Sequence, residues 1–412
     1  MKLILNSLNY SPELTGIGKY NGEMCLELVT RGVNVNVIVA PPYYPEWEVH
    51  EGFSGFLYKT EKKEGVNVIR CPLYVPKNVS TIKRLIHLST FAISSAFALL
   101  TQLFKKPDVV FLVQPTLFCA PFVLLFCKLT GAKSIMHVQD FEIDAMFGLG
   151  MMGEDDSKVT SFIKSIESWL MKRFDAVSTI SYSMIENAVA KGVNRENIIY
   201  FPNWSDTEFV TPETDGTALK KEWGFSESEK IVLYAGNIGK KQGLEVVLEA
   251  AKHFESNTNV KFVFVGAGAH VDVLKSQAEK LVLNNVVFLP LQPWELVPQM
   301  LALADIHLVV QKKGAADAVL PSKLTNILSV GGHALVTTEA DTELGKLAEK
   351  HEGIFHCVEP ENTQEFIKGL TYLLESATNE CNKVARTFAN GFLAKDKILD
   401  NFLIDVETLI KK

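Results

Sequence analysis

Cysteine is scarce in this 412-residue chain. The six present, Cys25, Cys71, Cys119, Cys127, Cys357 and Cys381, form no CxxC pair and do not gather near histidines at zinc-ligand spacing. That excludes a zinc module and a disulfide framework, and predicts the reduced thiols of a cytoplasmic protein. An excess of positive charge is missing too. With 41 Lys and Arg against 48 Asp and Glu, the formal net charge of −7 gives no global field to attract nucleic acid, although a local basic patch stays open. The apolar run of a signal peptide is absent, because residues 2–5 meet Asn6, Ser7 and Asn9 at once, so no export is expected. Low-complexity segments and short repeats are also lacking. Apolar material is plentiful: 47% hydrophobic against 22% charged residues excludes a disordered or fibrous chain. At roughly 100 to 200 residues per domain, the length predicts two domains or one large one.

The order of apolar runs gives the fold class. Residues 2–7 read as a buried parallel strand, 19–30 as an amphipathic helix stopped by Gly32, and 33–40 as a second strand, a βαβ opening. Further runs at 108–113, 134–138, 176–180 and 198–201 are separated by helix-length segments, so the first half is a parallel α/β domain. The polar stretch 211–217, carrying Pro212 and Gly216, reads as a linker. Five more strand candidates follow, at 231–235, 261–265, 285–289, 306–310 and 334–338, then a last helical segment from Val384 onwards.

Chemistry concentrates in the loops. Residues 9–22 carry Gly16 and Gly18 into a helix start, where N–H groups and the helix dipole favour an anion such as phosphate; glycines that merely permit a tight turn are the alternative. A dinucleotide fingerprint needs a glycine where Asn21 stands and an acid where Pro41-Pro42 ends the second strand, so NAD binding is disfavoured. His137, Asp140, Glu142 and Asp144 follow a strand, which suits catalysis and a hydrogen-bonded structural role equally. Glu154-Asp155-Asp156-Ser157 is more simply a solvated loop with a helix N-cap than a metal-binding acid pair. In the second half, residues 235–245 form a glycine loop with Lys240 and Lys241, Gly266 and Gly268 end the next strand, and Ser322-Lys323 opens a helix. Three such loops on one sheet edge suggest a nucleotide-diphosphate site.

The tandem α/β halves, the first glycine loop, the AGNIGKKQGLE loop and the PSKL helix start resemble a GT-B glycosyltransferase of the retaining GT4 type. Within that family, NYSPELTGIGKY, APPYYPEW, CPLYVPK, HVQDFEIDAM and FPNWSD are similar to the colanic acid enzymes of exopolysaccharide assembly, over essentially the whole chain. The resemblance implies two Rossmann-like parallel-sheet domains facing a central cleft. Residues 1–206 would take the acceptor and 207–383 the nucleotide sugar, with 384–412 crossing back to the first domain. It implies no metal and no cofactor.

By the same resemblance Gly16 and Gly18 approach the donor phosphates, and His137, with Asp140 beside it, contacts the transferred sugar. Asn237, Gly239, Lys241, Gln242, Gly266 and Gly268 border the donor. Ser322 and Lys323 hold the departing diphosphate. The chain departs from the family at four places: Asn237 replaces an Arg, Gln242 a Lys, and Ala318 and Asn326 the paired glutamates, leaving Asn326 to bond a ribose and Asp317 to reach the sugar. The implied reaction moves a sugar, L-fucose from GDP-fucose, onto a polyprenyl-diphosphate-linked saccharide at the inner face of the bacterial cytoplasmic membrane, with no nucleic acid involved. A nucleotide-sugar 2-epimerase of the same fold and a non-catalytic binding subunit are the alternatives.

Residues 85–104 carry no charge and are flanked by Lys83-Arg84 and Lys105-Lys106. On a helix they are long enough for about 30 Å. The stripe of His87, Thr90, Ser94 and Thr101 favours a helix in the bilayer interface or packed on the sheet over a spanning one. Tyr43, Tyr44 and Trp47 offer ring faces either to an acceptor sugar or to their own loop.

Overall fold

Runs of consecutive Val, Ile and Leu have no polar face to give to water, so they build strands buried on both sides. The computed structural model describes residues 1–13, 16–44, 46–78, 80–141, 158–314, 320–376 and 380–412. These fall into two units, Met1–Pro202 with Leu399–Lys412, and Asn203–Ile398. The first holds β1 (Lys2–Ser7), β2 (Asn34–Val39), β3 (Lys59–Lys63), β4 (Val66–Arg70), β5 (Val109–Val113), β6 (Lys133–Val138), β7 (Ala176–Thr179) and β8 (Ile198–Tyr200), in the order β3-β4-β2-β1-β5-β6-β7-β8. Every pairing is parallel except β3 with β4.

The second unit holds β9 (Lys230–Ala235), β10 (Val260–Val265), β11 (Val286–Leu289), β12 (Ile306–Val309), β13 (Ala334–Thr337) and β14 (His356–Val358), ordered β11-β10-β9-β12-β13-β14 and all parallel. Val232 and Tyr234 of β9 enter one core while Ile231 and Leu233 enter the other.

Two elements depart from the sequence reading. The β3–β4 hairpin was not expected, because KTEKK is an edge strand with no apolar face to announce it. Its turn shows why it forms: Glu64 (φ 49°) and Gly65 (φ 86°) both take the left-handed backbone that a tight hairpin needs. The short β14 is the other addition.

The uncharged segment forms α2 (Thr81–Leu100), which starts earlier than expected and is capped by Ser80. Its polar residues face inward. Ser94 donates to the Pro72 carbonyl (2.7 Å), Thr90 accepts from the Tyr74 N–H (3.2 Å), and His87 Nδ1 lies 2.7 Å from the Tyr74 carbonyl. The stretch before α2 belongs to no strand, so its backbone groups take partners from the helix. Thr101 lies outside this set and is exposed. The six cysteines are free thiols.

The C-terminal helix Lys395–Lys411 begins in the second unit and ends in the first. There Phe402 is buried, stacked on Phe201 with centroids 4.1 Å apart and edge-on to Phe111 at 5.2 Å. Removing that ring leaves a cavity among aromatics that cannot collapse. Phe402→Ala is therefore expected to lower stability by about 3 to 5 kcal/mol, read as a shift of the first unit's denaturant midpoint.

Candidate active site

In a parallel sheet the strand-to-helix loops share the carboxyl edge, where ligands bind. In the first unit that edge is organised by a buried carboxylate. Glu13 accepts from the N–H groups of Tyr43 and Tyr44 (3.1 Å each) and from the Asn9 amide (2.9 Å), joining the loop after β1 to the loop after β2. Burial raises its pKa, while those hydrogen bonds pull it down. Glu13 also explains Gly18 of helix α1 (Gly16–Thr30): a Cβ there would lie 2.6 Å from the Glu13 carboxylate. Gly16 has φ 58° and open space beside it. Asn21, in place of the fingerprint glycine, donates to Ser7 Oγ (3.0 Å) and the Asn9 carbonyl (2.9 Å), filling the gap between β1 and the helix.

These loops border a cleft of about 220 Å³ whose walls include Asn9, Gly16, Tyr44, Trp47, Arg84 and His87. Tyr43 is buried against His87 of α2 (centroids 4.9 Å apart) and Trp47 of its own loop (5.6 Å), so it packs the loop onto the helix, whereas Tyr44 is exposed. Burial lowers the pKa of His87, which leaves a neutral ring able to accept from the Tyr43 hydroxyl at 3.2 Å. The cleft thus offers ring surface, amides and one guanidinium, a set suited to saccharide hydroxyls and an anion.

At the end of β6, His137 is fully buried. Its Nδ1 is 2.6 Å from Ser178 Oγ, its Nε2 is 2.9 Å from the Gln139 amide nitrogen, and its ring stacks on Phe111. Burial pushes its pKa down to about 3, so the imidazole is neutral, accepting from Gln139 and donating to Ser178. With both nitrogens so engaged it fixes Gln139 and Ser178, and it supplies no proton near pH 7. Asp140 is exposed three residues on. Glu142, Asp144 and the 154–157 cluster lie outside the described residues.

In the second unit the Lys323 ammonium donates to the Tyr234 hydroxyl (2.9 Å) and sits 4.3 Å from that ring's centroid. Tyr234 in turn donates to the Asn237 carbonyl (2.6 Å). Gly236 lies alongside, where a Cβ would be 3.4 Å from Lys323 Nζ. Burial pulls the lysine down to about 8. Ser322, exposed, opens the helix Ser322–Ser329.

The three polar loops predicted here do meet. Ile238 donates to the Ala267 carbonyl (2.9 Å), and His270 donates to the Ile238 carbonyl (3.1 Å). The glycines at 266 and 268 serve this contact: Cβ atoms there would lie 2.0 Å from the Gly236 oxygen and 2.2 Å from the Ile238 oxygen. The close approach is of chain to chain. Asn237, Lys240 and Lys241 are exposed. Gln242 accepts from Gly239 N–H (3.0 Å), capping its own turn. Asn326 accepts from Ser205 Oγ at 2.8 Å. Asp317 and Ala318 lie outside the described residues.

The model of the glycosyl transferase 4-like domain matches residues 15–204, and that of glycosyl transferases group 1 matches residues 215–390. WcaI of Escherichia coli (strain K12), assigned as a colanic acid biosynthesis glycosyl transferase, is 48% identical over 409 residues, 98% of this chain and 100% of the relative. This chain belongs to the GT4-like, group 1 glycosyltransferases.

Its fold is GT-B. Sucrose-phosphate synthase from Thermosynechococcus elongatus is similar with a TM-score of 0.75 at 13% identity, covering 100% of this chain and 99% of that one. Anabaena Alr3699/HepE in complex with UDP-glucose has a TM-score of 0.68 at 15% identity, covering 99% and 100%. As a glycosyltransferase the protein takes a sugar donor and an acceptor.

Motif reading missed Glu13, Asn9, Arg84 and His87 in this glycosyltransferase. A lone glutamate in a glycine loop has no spacing signature; its only signal was an acid flanked by apolar and small residues. Glu13→Ala should destabilise the protein by about 3 kcal/mol, because buried N–H groups lose their acceptor, and Glu13→Gln should cost less. Urea unfolding of both variants checks the order.

Proposed function

We propose that this glycosyltransferase moves a hexosyl group from a nucleoside diphosphate sugar to a lipid-linked saccharide during assembly of a colanic-acid-type exopolysaccharide, at the cytoplasmic face of the inner membrane. The pathway is supported by the 48% identity to WcaI over its whole length. L-Fucose from GDP-fucose is the donor we favour, on the same resemblance. The observation that carries the donor site is Lys323, a cation set against the loop of Gly236 and Asn237 at the start of a helix. An ammonium and exposed helix N–H groups together suit a leaving diphosphate.

In a retaining transfer the departing diphosphate helps to deprotonate the incoming hydroxyl on the same face, so the protein mainly positions charge and substrate. Lys323 and Ser322 take the diphosphate, and Lys241 at the exposed loop adds charge. Gly239, Gln242 and Asn237 shape that loop. In the first unit Gly16, with open space beside it, leaves the helix start free to take an anion, whereas the space beside Gly18 is occupied by Glu13. His137, with both ring nitrogens taken by Ser178 and Gln139, acts on the sugar's side only by holding Gln139 and the strand end in place, with Asp140 exposed three residues on. Acceptor hydroxyls take the cleft beside Tyr44 and Arg84.

Two expected outcomes test this. Lys323→Ala should lower transfer at least about tenfold, equivalent to roughly 1.4 kcal/mol of transition-state stabilisation; unchanged turnover in a folded variant removes the residue from the mechanism. The pH dependence has a definite sign. In the unliganded protein the ammonium is present below its pKa of about 8 and lost above it. Affinity for a nucleoside diphosphate should therefore fall as pH rises from 8 to 9.5, and Lys323→Arg should flatten the fall. Thermal shifts with GDP- and UDP-sugars identify the base.

A second reading has its own support. Gln242 and Asn326 spend their side chains on internal bonds, which would suit a binding subunit that has lost transfer. Slow hydrolysis of a bound nucleotide sugar excludes it. A 2-epimerase is separated by product analysis, since it isomerises the sugar with no acceptor present.

A further inference from the structure

Helix α2 turns its polar residues inward, and so leaves an apolar face outside. Ile82, Ile86, Ile93, Phe97 and Leu100 recur at helical spacing on that face and are all exposed, Phe97 by 61%. Phe104, just beyond, is 96% exposed. The neighbouring helix α3 (Ala120–Thr130) repeats the arrangement. Phe118, Phe122, Leu125 and Leu129 lie along one side and are exposed, and Ser95 of α2 meets Cys119 at the start of α3 at 3.6 Å. A third piece joins them: Phe56 and Leu57 are exposed by 89% and 68%, and the Tyr58 hydroxyl beside them donates to the Ser94 carbonyl of α2 at 2.9 Å. Three segments of one unit, in contact through Ser95–Cys119 and Tyr58–Ser94, thus expose many large apolar side chains, more than a soluble surface usually carries.

Charge says what covers it. From residue 65 to residue 139 there are eight Lys and Arg and one acid, Asp108, in a chain whose net charge is −7. Asp108 accepts the Lys2 backbone N–H at 2.6 Å. Arg70 and Lys133 face Glu61 and Asp175. The cations that flank the apolar face are Lys83 at the start of α2, Lys105 and Lys106 beyond its end, and Lys128 in the last turn of α3. An apolar strip edged by cations matches acyl chains below anionic headgroups. It does not match a second copy of this chain, since a two-fold pairing would set the same cations against each other. Among the described residues no helix is long and apolar enough to cross a membrane, so the face can only lie on the surface.

We propose that α2, α3 and the turn at residues 56–58 form one face that docks on an anionic bilayer. Arg84, His87 and Leu88 line the first unit's cleft, and Ile82 and Ile86 of the same helix belong to the docking face. Lipid and cleft are then separated by one helix, about 10–12 Å across. A polyprenyl tail can stay in the bilayer while its diphosphate reaches Arg84 and its saccharide enters the cleft. This use of the face rests on the lipid-linked acceptor proposed above, but the docking itself does not.

The test is co-sedimentation of the full chain with vesicles of phosphatidylcholine containing 30 mol% phosphatidylglycerol, beside transfer to a short soluble acceptor analogue. Binding is expected, weaker on phosphatidylcholine alone, and reduced but not abolished between 50 and 500 mM salt. Ile93→Glu with Phe97→Glu should weaken binding at least about tenfold and leave soluble transfer within about twofold. Lys83, Lys105, Lys106 and Lys128 changed to Gln should remove the preference for anionic vesicles, at roughly fivefold per cation, and this variant decides the matter if the first does not fold. Unchanged vesicle binding in both variants, or no binding by the parent chain, overturns the proposal. So does a parent dimer that Leu125→Glu converts to a monomer without any vesicle binding, which would make the face a self-association surface. Vesicle binding without transfer to any acceptor would leave the docking face standing and remove the transferase reading instead.

Discussion

Parallel strands cannot be joined by tight turns. Each must return through a crossover, usually a helix, so every strand-to-helix loop of a parallel sheet arrives at the same edge. That constraint gathers Asn9 to Glu13, Tyr43 to Trp47 and His137 to Asp140 at one rim of the first sheet. At the rim of the second it gathers the Gly236 and Gly266 loops with Ser322 and Lys323. Each loop brings backbone groups that no ladder satisfies, and the side chains that satisfy them become the framework of the site. Glu13, Asn21, Gln242 and the polar side of α2 all do this work.

Polarity is therefore spent twice in this protein. The loop of Asn237 and Gln242 carries no fixed charge at those two positions, and Gln242 uses its amide on Gly239. Lys323 remains, held against an aromatic face and a phenol. A lysine whose charge is disfavoured by partial burial carries it most readily when an anion is present, so on the proposed reading its charge is tied to the arrival of a ligand.

Most of the architecture was legible from the sequence, because parallel strands are unbroken apolar runs and helices between them are stopped by glycine. The β3–β4 hairpin was not, since Lys59 to Lys63 has no buried face and only Glu64-Gly65 marks its turn. The polar loops of the second unit could be found from their glycines, although Gly266 and Gly268 serve packing between loops. Glu13 could not, because its partners come from a loop thirty residues away. Helix α2 was the hardest to orient. Composition sends His87, Thr90 and Ser94 to water, yet their partners are the Pro72 and Tyr74 backbone groups, which only the fold brings near.

The first unit is assembled from both ends of the chain, with Leu399–Lys412 added to Met1–Pro202. Synthesis proceeds from the amino terminus, so the nascent first unit emerges with the seat for Phe402, between Phe111 and Phe201, still open. Its aromatic core closes only when residues 399–412 have left the ribosome. Completion of the first unit is thereby delayed until the second unit has been made, and a chain stopped early is marked by exposed phenylalanine as unfinished.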